Sequence, residues 1–172
     1  RFERYAEDPA ERGRQLAAWA RGFDDAIGLW LFVDGLVGDC TSFLRALQRG
    51  LPPGLPVVGG TAADSFAFQK CYQYAGTSPS SDAVVGVLLR GRATLVTAVS
   101  HGCTPIGRPR AVTRVEGGWV YEIDGQSAWS VFREYLDGDP TSLNAEGIVH
   151  LCLGEELAPE LAAEYAPYVI RT

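Results

Sequence analysis

The stretch 27-IGLWLFVDGLVGDCTSFLRALQRGLPPGLPVVGG-60 decides the fold. Its opening run, 27-IGLWLFVD-34, is apolar and of strand length, which predicts a buried strand. Asp39 then stands where a helix N-cap belongs. Phe43, Leu44 and Leu47 follow at helical spacing, and Gly50 closes the segment. A second short strand is predicted at 56-PVVGG-60. Strand, helix and strand joined by short links predict a parallel pair with a right-handed crossover.

Working outward toward the N-terminus, Asp8-Pro9-Ala10-Glu11 reads as a helix start. Asp is the cap, Pro takes the first helical position and Glu lies three residues after the cap. Leu16, Trp19, Ala20 and Phe23 then recur as one apolar face. Beyond Gly60 the period changes. In 66-FAFQKCYQY-74, alternation puts Phe66, Phe68, Lys70, Tyr72 and Tyr74 on one face. A Ser/Pro/Gly turn follows at 76–81. The runs 83-AVVGVLL-89 and 94-TLVTAVS-100 around 90-RGR-92 predict a hairpin. So do 111-AVTRVE-116 and 119-WVYEID-124 around Gly117-Gly118. Asp124 is expected to cap a helix from about Gln126 to Leu136, with Ala128, Val131, Phe132 and Tyr135 inward. A last strand is expected at 147-GIVHLCLG-154. The fold class is α+β: a βαβ start followed by an antiparallel meander, a mixed sheet packed with helices. No internal repeat or dividing linker is visible, so 1–172 reads as a single domain.

Composition limits the function. The chain has 172 residues, 47% of them apolar and 21% charged, with a formal net charge of −6 and a pI of about 4.9. An acidic balance argues against nucleic acid or an anionic membrane as the main partner, because both need a basic face. The longest apolar run, 26-AIGLWLFV-33, is too short to cross a bilayer. The start, RFERYAEDPAERGR, is polar and does not resemble a signal peptide. The chain has no Met and is read as a piece of a longer, cytoplasmic protein. Cys40, Cys71, Cys103 and Cys152 are scattered without a CxxC pair, so reduced thiols are expected rather than a structural zinc site.

Three places carry reactive or charged residues. The loop 59-GGTAADS-65 follows a strand and lacks the Lys of a P-loop and the spaced glycines of a dinucleotide fingerprint. It is either a tight strand exit in which Asp64 bonds its own backbone, or a ligand loop using Gly59, Gly60 and Asp64. In 100-SHGCTPIG-107, His101 and Cys103 share a face if the chain is extended. That pattern fits a thiol nucleophile with its base, a metal or haem ligand, or a plain bend punctuated by Gly102, Pro105 and Gly107. No third residue is placed to orient the imidazole, and the bend is the favoured reading. His150 alternates with Val149 and Leu151 and is expected to face outward. Arg108, Arg110 and Arg114 form a basic cluster on an acidic chain, suited to carboxylates or simply to the surface.

Together, 57-VVGGTAAD-64, 82-DAVVGVLLRG-91 and 102-GCTPIGRPRAVTRVEGGWVYEIDGQSAWSVFREYL-136 resemble the FIST domain of signal-transduction proteins. Gly59, Gly60 and Asp64 match its first motif. Gly102, Cys103, Pro105, Gly107, Val112, Thr113, Glu122, Asp124, Gly125 and Ala128 match its second, with Ser127 where Pro is expected. The resemblance runs from about Leu29 to Leu136 and implies a sensory, small-ligand-binding role, with amino acids proposed as ligands. Some members of the family are haem-binding nitric oxide sensors, which would draw on His101 and Cys103 here. The expectation is a non-enzymatic small-molecule sensor with no required cofactor. Its pocket would be formed by the Asp64 loop, Cys103 and the approach from Arg108 and Arg110 to Thr113. A homodimer or an output domain is the expected partner. The alternatives are a haem-binding gas or redox sensor, and a thiol hydrolase using Cys103 and His101.

Overall fold

The Asp8 carboxylate accepts the Glu11 backbone N–H at 2.8 Å, and helix α1 (Pro9–Ala20) starts at that cap. Asp39 does the same for Ser42 at 3.0 Å, and helix α2 (Cys40–Gly50) follows. Both helices begin where the sequence predicts, because a cap is a local interaction. The structure is a computed structural model and describes residues 1–65, 67–98, 100–116, 119–136, 151–162 and 168–171. They divide into two units, Arg1–Thr97 and Ala98–Thr172.

In the first unit, strand β2 (Ala26–Asp34) pairs in parallel with β3 (Val57–Ala62), from Leu29 opposite Val57 to Asp34 opposite Ala62. This is the expected βαβ start. Strand β6 (Ala83–Arg90) lies antiparallel on the other side of β2, and β1 (Phe2–Glu3) pairs antiparallel with β6. The order β1-β6-β2-β3 makes a mixed sheet.

Leu29, Leu31 and Val33 of β2 point into a core shared with Leu16 and Ala17 of α1, Phe43 and Leu47 of α2, Val84 of β6, and Tyr5. Trp30 and Phe32 take the alternate positions and stand exposed on the opposite face. The helices approach closely through glycine. A Cβ on Gly13 would run into the Phe43 carbonyl oxygen, and one on Gly50 would stand 2.6 Å from the Ala17 Cβ. That contact corrects two expectations. The buried stripe of α1 is Gly13, Leu16, Ala17 and Ala20. Trp19 is 43% exposed and packs edge-on against Phe23. Gly50 serves helix packing, while Leu51, in extended conformation, is the C-cap.

The hairpin expected between 83–89 and 94–100 does not form. Gly91 turns the chain, its N–H bonded to the Asp25 carbonyl at 2.9 Å, but the described residues from 93 to 100 contain no strand. Strand β1 covers the outer edge of β6 only at Ala83 and Val84, so a filled edge is not what keeps the returning chain from pairing. Leu95 instead lies against the space left by Gly28. Among the described residues of 66–74, strand begins only with β4 (Gln73–Ala75), paired with β5 (Ser78–Ser80). Phe66 lies outside the described residues. The face carrying Phe68, Tyr72 and Tyr74 is exposed, whereas Cys71 and Gln73 are buried.

In the second unit, β7 (Val112–Glu116), β8 (Trp119–Ile123) and β9 (Gln126–Ser127) form the antiparallel meander. Gly117 and Gly118 lie outside the described residues. Asp124 and Gly125 have φ of 52° and 75° and make a two-residue turn between Ile123 and Gln126. An Asp-Gly pair suits that left-handed geometry. Asp124 is therefore a turn residue and not the expected helix cap. Helix α3 (Ala128–Arg133) starts later, at Ser127. Strand β10 (Leu153–Glu156) and, after helix α4 (Pro159–Ala162), strand β11 (Tyr168–Arg171) pair antiparallel. The expected strand 147–154 falls partly on residues outside those described, His150 among them. Among the described residues no helix is long and apolar enough to cross a membrane.

Candidate functional site

Gly59, Gly60 and Asp64 belong to the first unit, and Cys103, Arg108, Arg110 and Thr113 to the second. Strand β3 runs on to Ala62, so Gly59 and Gly60 lie inside the strand and not in a loop after it. Gly59 has φ of 153°, and a Cβ there would collide with the Leu31 carbonyl. Its lack of a side chain is what lets β3 lie beside β2 at this register. Gly60 is exposed, with open space where a Cβ would be. The Asp64 carboxylate accepts three backbone N–H groups, from Gln69 at 2.7 Å and from Phe68 and Lys70 at 3.0 Å. These bonds, Gln69 foremost, hold the carboxyl below the usual range. Of about four acceptor positions on a carboxylate, three serve the loop itself.

A polar cluster that the sequence reading passed over lies at the end of β2. Asp34 is 4% exposed. Its carboxylate accepts the Cys71 thiol at 2.9 Å, the Leu36 N–H at 3.0 Å and the Asp82 N–H at 2.8 Å. Burial pushes this carboxyl up, but the three donors outweigh it and leave it below the ordinary value. Burial, then the bond to Asp34, pushes the Cys71 thiol up. The one signal in the sequence was an Asp closing an otherwise apolar strand.

In the second unit, the segment from 100 to 111 is irregular. His101 Nδ1 accepts the Cys103 backbone N–H at 3.0 Å. The Cys103 sulfur lies 3.6 Å from the His101 carbonyl oxygen and 3.9 Å from the Cys152 sulfur. The imidazole nitrogen thus serves the backbone and not the thiol. The arrangement does not fit a haem either. With Nδ1 accepting, a neutral ring carries its proton on Nε2, the atom that would have to bind iron. Both side chains are also exposed rather than set in an apolar slot.

The arginines differ from one another. Arg110 is bonded to Glu134 and lies 3.9 Å from Asp124, with 17% of its side chain exposed. Arg114 pairs with Glu122 and Glu116, each at 2.9 Å, and stacks on Tyr121. Arg108 is exposed and makes no ion pair among the described residues. Thr113 Oγ1 accepts the Gly125 N–H at 3.0 Å, which braces the Asp124–Gly125 turn. An apolar cavity of about 310 Å³ lies in this unit, walled by Val120, Trp129, Phe132, Leu136, Leu151 and Leu153 among others. It was not foreseen, because its walls come from separate segments.

The family model of the FIST N domain matches residues 2–126. An uncharacterized protein of Methanocaldococcus jannaschii is 35% identical over 114 residues, 66% of this chain and 22% of that protein. Uncharacterized proteins of Mycobacterium tuberculosis and Mycobacterium bovis are each 32% identical, the first over 110 residues (62% of this chain, 28% of that protein) and the second over 123 residues (69% and 31%). The matches thus span less than a third of each of these relatives. No solved structure matches. The motifs at Gly59–Asp64 and Gly102–Ala128, with the βαβ start between α1 and β3, fall within the matched residues or run just past them, and the chain belongs to the FIST N domain family.

Proposed function

We propose that the chain is a cytoplasmic, non-enzymatic sensory domain of a signal-transduction protein that binds amino acids or other small carboxylates. Membership of the FIST family carries this reading, since FIST domains are sensory domains of signal-transduction proteins. Arg108 supports the ligand class. It is an exposed guanidinium with no carboxylate partner among the described residues, whereas Arg110 and Arg114 are occupied by Glu134 and by Glu122 and Glu116. A free planar fork suits a carboxylate. The position of His101 Nδ1 on the Cys103 N–H supports binding over thiol hydrolysis, which needs the base on the thiol.

The test is a thermal-shift screen of the twenty amino acids and small carboxylic acids, followed by calorimetry of each hit on Arg108→Ala. The reading expects hits whose affinity falls in the variant. A screen that finds no carboxylate ligand, or thioester and amide turnover that Cys103→Ser abolishes, refutes it.

A further inference from the structure

We infer that Cys103 and Cys152 are a peroxide-reactive dithiol, a modification site that closes into an intrachain disulfide. They lie 49 positions apart in sequence, yet their sulfurs are 3.9 Å apart. A disulfide needs about 2.05 Å, so the sulfurs must close by roughly 1.9 Å. The other two cysteines are placed differently. Cys71 is buried on Asp34, and Cys40 is half-buried at the start of α2.

Exposure assigns the order of events. Cys103 is exposed and Cys152 is partly covered, so Cys103 meets the oxidant. Its thiolate attacks hydrogen peroxide; an S–O bond forms, the O–O bond breaks, and hydroxide takes up a proton and leaves as water. The Cys152 sulfur then attacks the sulfenic sulfur. The S–S bond forms, the S–O bond breaks, and the departing oxygen leaves as a second water with the Cys152 proton. Two thiols and one peroxide thus give one disulfide and two waters. Burial, then the neighbouring Cys103, pushes the Cys152 thiol up, which suits a resolving rather than an attacking sulfur. The Cys103 backbone is pinned by His101 Nδ1, so the loop presents the thiol in a fixed setting. The bond would tie the irregular segment from 100 to 111, which also carries Arg108, to the residues entering β10.

The 172-residue chain is treated with hydrogen peroxide and its intact mass and free thiols are measured under denaturing conditions. The expected product has lost about 2 Da, for two hydrogens, together with two of the four thiols. Peptide mapping, which needs no variant, should place the link at Cys103–Cys152. In Cys152→Ser, Cys103 should stop as a sulfenic acid trapped by a 1,3-dicarbonyl probe. In Cys71→Ser, the loss of mass should persist. No loss of mass, a link involving Cys40 or Cys71, or a bond only between two chains overturns the inference. None of these outcomes depends on the carboxylate reading.

Discussion

The Cys71 thiol donates to Asp34 Oδ1 at 2.9 Å inside the first unit. The same carboxylate holds the Leu36 and Asp82 amides. One side chain therefore ties the end of β2 to the approaches of β4 and β6. Asp34→Ala leaves these donors without an acceptor, and an unmet buried donor costs about 1–3 kcal/mol. We expect a loss of roughly 3–5 kcal/mol, read as a fall in the urea midpoint. A variant within 0.5 kcal/mol of the parent, roughly the scale of a surface change, contradicts the assignment.

The same carboxyl sets a pH dependence. Its folded pKa lies below the ordinary value, and the unfolded value is about 3.9. Its contribution is therefore complete above the unfolded value and is lost as pH falls through the folded one. The difference in unfolding free energy between the parent and Asp34→Ala should be flat from about pH 7 to pH 5 and shrink below about pH 4. A difference that grows on acidification has the wrong sign.

Adjacent glycines should behave oppositely. Gly59→Ala meets both a positive φ and the Leu31 carbonyl, and should cost roughly 2–4 kcal/mol. Gly60→Ala enters open space and should change stability by about 0.5 kcal/mol or less. Denaturant curves of the two variants decide the matter. Equal losses would remove the structural role given to Gly59.

The two arginines of the 105–111 stretch should separate stability from binding. Arg110→Ala removes the partner of Glu134 and Asp124 and should lower the unfolding temperature. Arg108→Ala should leave that temperature alone and weaken a carboxylate ligand about 10- to 100-fold. Calorimetry beside thermal unfolding separates the effects, and the reverse pattern exchanges the two roles.

Self-association is expected through the β10–β11 pair. Among the described residues these strands pair only with each other, which leaves ladder edges that can recruit another chain. Light scattering should give a dimer whose fraction rises with concentration. A monomer at high concentration rules this out.

The first unit was legible where interactions are local. Asp8 and Asp39 cap the helices as their spacing foretells, and the apolar run of β2 reads directly as a strand. Legibility failed where a distant partner decides. The run 94–100 has strand composition, but its Leu95 packs on the distant Gly28 of β2 instead of pairing back along β6. The stripe of α1 is turned by Gly13 against α2, a contact invisible in either helix alone. At the candidate site, the sequence singled out Asp64 and the arginines by residue type alone. It had no means of telling that Asp64 is engaged by Phe68, Gln69 and Lys70, or that Glu134 holds Arg110 while Arg108 has no ion pair among the described residues.

Strand β1 pairs with β6, Phe2 opposite Val84, and Tyr5 and Ala6 are also held by Asp82. During synthesis α1, β2, α2 and β3 all leave the ribosome before that partner exists. Between the emergence of β2 and of β6, the edge of β2 that β6 will take is bare, with Trp30 and Phe32 beside it. At roughly 5–20 residues per second, this lasts on the order of several seconds. The strand order of the sheet thus sets a nascent-chain interval in which a chaperone has something to hold.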